Sequence, residues 1–512
     1  MAGGSGNGMQ VGVTESVCPE CLQVIPARKI VRDGGIFLEK TCPDHGTYSV
    51  LIWEGTEESY GAWGENLQPA DQIPAAKPSE KGCPLDCGLC EDHERRGCCV
   101  LLEVTDRCDL GCPVCFAGAE AGRGRDVPLE ELGRQMDYLM SHGGPFNLQL
   151  SGGEPTMRDD LPDVICMGKE KGFSFFQLNT NGLRLAREAG YAETLKEAGL
   201  SCVFLQFDGF KEETYLALRG RPLLAEKRAA IDACERAGLG VILVPVISPG
   251  LNEDEVGAIL RYGVSRMPVV RGVHFQPISY FGRCPGAREG YRLTIPKLLS
   301  LLEEQTGGQI SAGDFTGGNA TNPYCTFQAN YLKGEDGSLA PMVHGTARAY
   351  ATSEQAREFV ARQWTGPEPE AGCCCGEASA KEGCCSAGTE ETKESCCCAG
   401  LSEGCCFGTE PEASDGGCCC CGEPEAPEDA GGCCCCGEDT AQMQLDTSSL
   451  DEFLAKLHNN TFAVSGMLFQ DAWNLDLERL RRCYILETDS RYGMVPFCAY
   501  NLTSREGRTL YR

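Results

Sequence analysis

Three cysteines stand close together in the stretch RCDLGCPVCF: Cys108, Cys112 and Cys115, spaced C-x3-C-x2-C. Zinc and cubane iron–sulfur clusters take four ligands. Three thiolates therefore hold three irons of a 4Fe–4S cluster and leave the fourth iron to an external ligand. Cys83, Cys87 and Cys90 repeat the same spacing. Linker sequence precedes that set and no strand leads into it, so it is assigned to an auxiliary cluster. Cys98 or Cys99 is its expected fourth ligand, in preference to His93, and a structural zinc site is the alternative.

Two further groups carry ligand chemistry. Cys18, Cys21, Cys42 and His45 form two close pairs, C-x2-C and C-x2-H, separated by 20 residues. Such pairs hold one metal ion. Zinc and a rubredoxin-like iron both suit them. Cys284, Cys325, Cys483 and Cys498 lie in well-patterned sequence and together supply four thiolates for a further auxiliary cluster; burial as apolar core residues is the alternative. Cys166, Cys202 and Cys234 sit in helix or strand patterns and are expected in the core.

These residues need elements to position them. Between residues 98 and 300 short apolar runs alternate with helical segments: CCVLLEVT, FNLQLS, SFFQLNT, SCVFLQF, GVILVPVIS and GVHFQPIS. Between them LEELGRQMDYLM places Leu129, Leu132, Met136, Leu139 and Met140 on one helical face. Six such βα units predict an α/β fold with a parallel sheet, open or partly closed as a (β/α)6 barrel. Chemistry then belongs where strands end and loops begin, which is where Cys108 falls. SGGEP (Ser151–Pro155) ends the second strand, TNG (Thr180–Gly182) the third and QFDG (Gln206–Gly209) the fourth.

Composition bounds the rest. The chain has 512 residues, 36 cysteines and a formal net charge of -29. That charge argues against a general nucleic-acid partner, whose phosphates require Lys and Arg. No window approaches 18 consecutive apolar residues, so no membrane span is expected. The start, MAGGSGNGMQ, has neither a basic n-region nor an apolar h-region. A reducing cytoplasm is the expected compartment, where cysteines in motifs do metal or redox work. The expected organisation is a flexible leader (1–16), a Cys/His metal module (17–60), a linker bearing auxiliary-cluster cysteines (61–98), the α/β core (99–295), and a C-terminal α+β segment in two parts (296–366 and 441–512). Between those parts lies 367–440, with 17 acidic residues, two lysines and 18 cysteines in runs of two to four. It has almost no large apolar side chains, so a disordered insertion is expected. Two roles suit it: a metal sponge, or a mobile thiol arm that serves the active site.

The C-x3-C-x2-C loop after a first strand, followed by SGGEP, resembles the radical S-adenosylmethionine (SAM) superfamily. That resemblance implies a partial (β/α)6 barrel whose cluster, on Cys108, Cys112 and Cys115, binds SAM at the open iron and cleaves it to a 5′-deoxyadenosyl radical. It implies SAM contacts at Gly152, Gly153, Glu154, Asn181, Gln206 and Asp208, with Phe116 standing in for the aromatic that many members carry just before the third cysteine, where this chain has Val114. It also implies a low-potential electron donor such as flavodoxin or ferredoxin. The N-terminal pairs, the second cysteine trio and EVTDRCDLGCPVCFA together resemble the branch containing archaeal tetraether lipid synthases. The CCC and CCCC runs and the ending CAYNLTSREG resemble the TrsS radical SAM (seleno)proteins, although only cysteine is present here.

The function these features predict is hydrogen abstraction from a small-molecule, lipid or peptide substrate. The alternatives are carbon–carbon coupling of lipid chains, and a thiol or metal store whose radical SAM domain is inactive. A large apolar tunnel would favour lipid, and a polar open mouth a peptide or small thiol.

Overall fold

The chain begins with four antiparallel strands: β1 (Met9–Val17), β2 (Val24–Arg32), β3 (Gly35–Cys42) and β4 (Gly46–Glu54), paired in that order. Asp33 and Gly34 turn β2 into β3 with both φ angles positive, 50° and 75°. An Asp-Gly pair is the usual solution for so tight a hairpin. The other two connections carry the ligand pairs: Cys18 and Cys21 leave β1, and Cys42 ends β3 just before His45. The expected leader is corrected here. From Met9 onward it is strand, paired with β2 from Met9–Val31 to Val17–Val24. The outer part of β1 is largely exposed, so its composition reads as polar and flexible.

This computed structural model describes residues 8–65, 75–95, 97–285, 292–318, 322–342, 353–367, 454 and 456–512. The expected disordered insertion lies outside the described residues.

The six apolar runs form β5 (Cys99–Thr105), β6 (Asn147–Gly152), β7 (Phe176–Thr180), β8 (Cys202–Gln206), β9 (Gly240–Val244), which the short β10 (Val246–Ile247) follows, and β11 (Val270–Pro277). All six pair in parallel in the order β11-β9-β8-β7-β6-β5. Helices follow the strands and cover one face. Val100, Leu102 and Val104 of β5 pack there with Leu132, Met136 and Leu139 of the helix Leu129–Ser141. Complete burial of each such side chain is worth about 1.5–3 kcal/mol. Leu129, expected on that face, is 37 % exposed at the helix N-terminus.

The opposite face is more polar. Gln149 donates to Cys99 Sγ, Asn179 donates to Gln149 and Gln177 donates to Asn179, at 2.6, 3.2 and 2.8 Å. A parallel sheet in water normally buries apolar residues on both faces. These bonds satisfy much of the polar inner face, although Gln177 Oε1 has no partner.

The C-terminal segment extends both edges of this sheet. β12 (Thr326–Lys333), β13 (Leu339–Pro341) and β14 (Thr461–Met467) continue it beyond β11, while β15 (Ile485–Asp489) and β16 (Gly493–Pro496) continue it beyond β5. The last residues of this segment reach back to the core. Phe497 stacks near Phe116 at 5.6 Å between ring centroids, and Arg512 pairs with Glu103 of β5 at 2.5 Å. Among the described residues no helix is long and apolar enough to cross a membrane.

Candidate functional site

The loop after β5 carries Cys108, Cys112 and Cys115. The first two thiols are buried and the third half-buried. Burial pushes the Cys108 thiol up to about 12, and it raises Cys112 as well, against the nearby Arg219. A metal takes the thiolate, so binding would release these protons.

Four neighbours fix the loop. The first is the turn after β6. Gly153 N–H donates to Thr105 O at 2.7 Å and Glu154 N–H to Arg107 O at 2.8 Å. Gly152 has φ +125°, and a Cβ there would lie 2.2 Å from Thr105 O; a Cβ on Gly153 would lie 2.2 Å from Arg107 O. The close approach that requires both glycines is thus made to the cysteine loop itself.

The second neighbour is the turn after β7. Asn181 Nδ2 donates to Asp109, between the first two cysteines, at 2.7 Å. Glu154 joins these turns. It is 2 % exposed, and its carboxylate accepts from Thr156 N, Thr156 Oγ1, Thr180 Oγ1 and Asn181 N. All four bonds are internal and tie the turn after β6 to the turn after β7, so Glu154 positions the loops.

The third is the helix Glu212–Arg219. Arg219 makes a two-armed ion pair with the fully buried Asp208, at 2.7 Å for each arm, and donates to Val114 O at 3.4 Å. Asp208, expected at a ligand, also accepts from Val246 N at 3.0 Å. Its role is to hold a guanidinium against the loop. Gln206 lies between Arg219 and Lys227. Lys227 is fully buried, donates to Asn181 O at 2.6 Å, and is lowered by burial to about 8.

The fourth is Arg283, after β11. It pairs its backbone with Cys115 and donates from its guanidinium to Cys112 O and Ala119 O, at 2.8 and 2.6 Å. Sequence reasoning missed Arg219, Lys227 and Arg283. Lys227 had a signal: it shares a helical face with Ala230, Ile231 and Cys234, where a lysine is out of place.

Beside the loop opens a cavity of about 320 Å³, lined by Glu103, Asp106, Glu120, Arg123, Gly152, Gly153 and Arg512 among others. Glu487 lies behind Glu103 and is fully buried; burial and Glu103 together raise its carboxyl well above the usual range. Phe116 packs between Phe497 and Arg512 rather than alone at the loop.

The second trio is also gathered. Cys83, Cys87 and Cys90 are buried and line one small cavity together with His93. Cys98 and Cys99 do not line it. Cys98 packs with Tyr484 and Ala356, and Cys99 accepts from Gln149 inside the sheet. Cys98 is the last residue before β5 and Cys99 the first within it, and neither is among the residues lining the trio's cavity.

Of the late cysteines the structure gathers three. Burial pushes Cys498 up, with Cys483 and Cys325 nearby adding to it, and Cys483 is likewise raised by burial with Cys325 and Cys87 near. Arg479 donates to Cys325 Sγ at 3.1 Å. Cys284 stands apart, next to Arg283 after β11; burial raises it to about 11, with Asp471 and Arg292 as its charged neighbours. Cys202 and Cys234 are core as expected, but Cys166 is exposed.

At the N-terminal module, ligand atoms of Cys18, Cys21, Cys42 and His45 all lie within 4.8 Å of one another. His45 Nδ1 is 3.7 Å from Cys18 and 3.4 Å from Cys42. Burial would raise Cys42, but the His45 contact and backbone N–H groups bring it down to about 7. This set fits one tetrahedral ion.

Comparison with known proteins follows this geometry. The Radical SAM superfamily profile matches residues 102–263, and that of the HMPTM N-terminal zinc ribbon domain matches 10–54. The 7,8-dihydro-6-hydroxymethylpterin dimethyltransferase of Methanocaldococcus jannaschii is 34 % identical over 500 residues, 96 % of this chain and 94 % of that protein. A GTP 3′,8-cyclase of Paenarthrobacter nicotinovorans is 32 % identical over 212 residues, 40 % of this chain and 58 % of that protein. The crystal structure of Streptococcus suis SuiB bound to precursor peptide SuiA overlaps 42 % of this chain and 46 % of that one, with a TM-score of 0.34 and 16 % identity.

Proposed function

Because this chain is a radical SAM superfamily enzyme, in the family of the M. jannaschii dimethyltransferase, we propose that it abstracts hydrogen from a polar substrate held beside the loop of Cys108, Cys112 and Cys115. The family implies a 4Fe–4S cluster and SAM, and an N-terminal zinc ribbon. Three thiols on one clamped loop suit that cluster. When bound, cluster and SAM supply a 5′-deoxyadenosyl radical.

The chain's own residues do the positioning. Gly152 and Gly153 bring the β6 turn against the cysteine loop. Asp208 holds Arg219, which sets positive charge near Cys112 and Cys115. Such charge offsets part of the rise that burial imposes on the Cys112 thiol. Phe116, Phe497 and Arg512 cover the mouth and restrict water.

The observation that carries the polar-substrate reading is the cavity beside the loop, bounded by Glu103, Asp106, Glu120, Arg123 and Arg512. A lipid chain would need an apolar tunnel. The relative is named for a pterin, whose amino and ring N–H groups are donors that a carboxylate such as Glu103 accepts. A substrate with such an N–H edge is the class proposed here. A storage role gains nothing from so complete a clamp on one loop.

Cys83, Cys87 and Cys90 hold an auxiliary cluster in this reading. Cys325, Cys483 and Cys498 supply thiolates to a further one, without Cys284. A low-potential donor such as flavodoxin or ferredoxin delivers the electron. The test is anaerobic reconstitution followed by assay of 5′-deoxyadenosine. Changing Cys108, Cys112 and Cys115 together to Ala abolishes its formation. If cleavage survives that change and is lost instead on replacing Cys83, Cys87 and Cys90, the assignment of the catalytic loop is wrong. Deuterium transfer from labelled candidates into 5′-deoxyadenosine identifies the substrate.

A further inference from the structure

His93 is 7 % exposed, and its Nε2 has no hydrogen-bond partner. A buried, unpaired ring nitrogen is costly unless something else takes its lone pair. The ring's other polar contacts are with the main chain, at Arg95 and Cys483. A main-chain bond at Nδ1 is the usual device that leaves a ligating Nε2 free and oriented. The cavity that His93 lines is also lined by Cys83, Cys87 and Cys90.

We infer that His93 Nε2 is the fourth ligand of the Cys83, Cys87 and Cys90 site, making it a closed Cys3His centre. The inference rests on the auxiliary-cluster reading of that trio. Loading such a site converts three thiols to thiolates and releases their protons, while the neutral imidazole contributes a lone pair and no charge. The two loops with identical spacing then differ in one respect. The catalytic loop keeps its fourth iron for SAM, and the other has it filled from within the chain. A closed centre neither binds SAM nor generates a radical; it stores or relays an electron. Replacing one thiolate by imidazole also makes the centre less negative, which raises its reduction potential.

The experiment uses the full-length protein, reconstituted anaerobically and reduced, with natural-abundance or 15N-labelled histidine. Pulsed EPR of the cluster signals shows a strongly coupled nitrogen whose frequency changes with the label. In His93→Cys that coupling disappears, iron content stays constant and the midpoint potential falls. Absence of nitrogen coupling from the unsubstituted protein overturns the inference, as does coupling that persists in His93→Cys. The isotope comparison needs no substitution, so it decides even if that variant does not fold. If Cys83→Ala/Cys87→Ala loses no iron, the auxiliary-cluster reading itself fails; that iron count is independent of the nitrogen signal.

Discussion

Glu154 Oε2 accepts the backbone N–H of Asn181 at 2.7 Å, tying the turn after β6 to the turn after β7. Its other bonds reach Thr156 and Thr180. Glu154→Gln would aim a donor amide at groups that already donate. A lost buried bond to a charged group costs about 1–3 kcal/mol. The variant is expected to melt earlier and to lose iron from the catalytic loop, read by thermal unfolding and iron content. Unchanged melting and full iron retention would refute the positioning role.

Gly153→Ala places a methyl 2.2 Å from Arg107 O. Backbone must move, because no side chain is there to yield. The expected outcome is loss of 5′-deoxyadenosine formation by at least about tenfold, equivalent to about 1.4 kcal/mol, with the circular dichroism of the fold retained. Wild-type activity in this variant would show that the loop tolerates displacement.

Arg219 and Asp208 form a buried ion pair. Removing one member of such a pair costs about 3–5 kcal/mol, since the other charge stays buried. Asp208→Asn is therefore expected to lower the denaturant midpoint strongly. Arg219→Lys retains charge but loses the two-armed geometry, and should show an intermediate loss. Equal stability of both variants with the parent would contradict this account.

Lys40 of β3 is buried, donates to Ser16 Oγ and Ala472 O at 3.0 and 2.7 Å, and is lowered by burial to about 7. The sign follows from proton counts. Between pH 7 and the ordinary lysine value of 10.5, the unfolded chain binds a proton that the fold does not. Unfolding then takes up a proton, so this residue makes stability rise with pH across that window and fall on acidification toward 7. Lys40→Met should flatten the difference. Parallel stability–pH curves for parent and variant from pH 7 to 9 would exclude it.

Glu103→Gln removes the carboxylate from the cavity and from Arg512. Under the proposed function, substrate-independent SAM cleavage persists while substrate-dependent turnover falls by tenfold or more, through KM. A variant that loses both equally would place Glu103 with the cluster rather than with substrate.

Much of this protein was determined by local sequence. A strand of continuous apolar residues, a loop of fixed cysteine spacing and a glycine pair are short-range features, so the six core strands, the Cys108–Cys115 loop and the Cys18–His45 ion site are legible without coordinates. Only tertiary structure decided what each polar residue faces. Glu154 and Asp208 read in sequence only as carboxylates at strand ends; their bonds to Asn181 and Arg219 appear only in the fold. Arg283, distant in sequence from Cys112, reaches it because β11 ends beside the loop. His93 and Cys98 lie three and eight residues beyond Cys90 in sequence. A turn keeps His93 in the cavity, while Cys98, just before β5, packs with Tyr484, because the direction the chain takes sets which side chains meet.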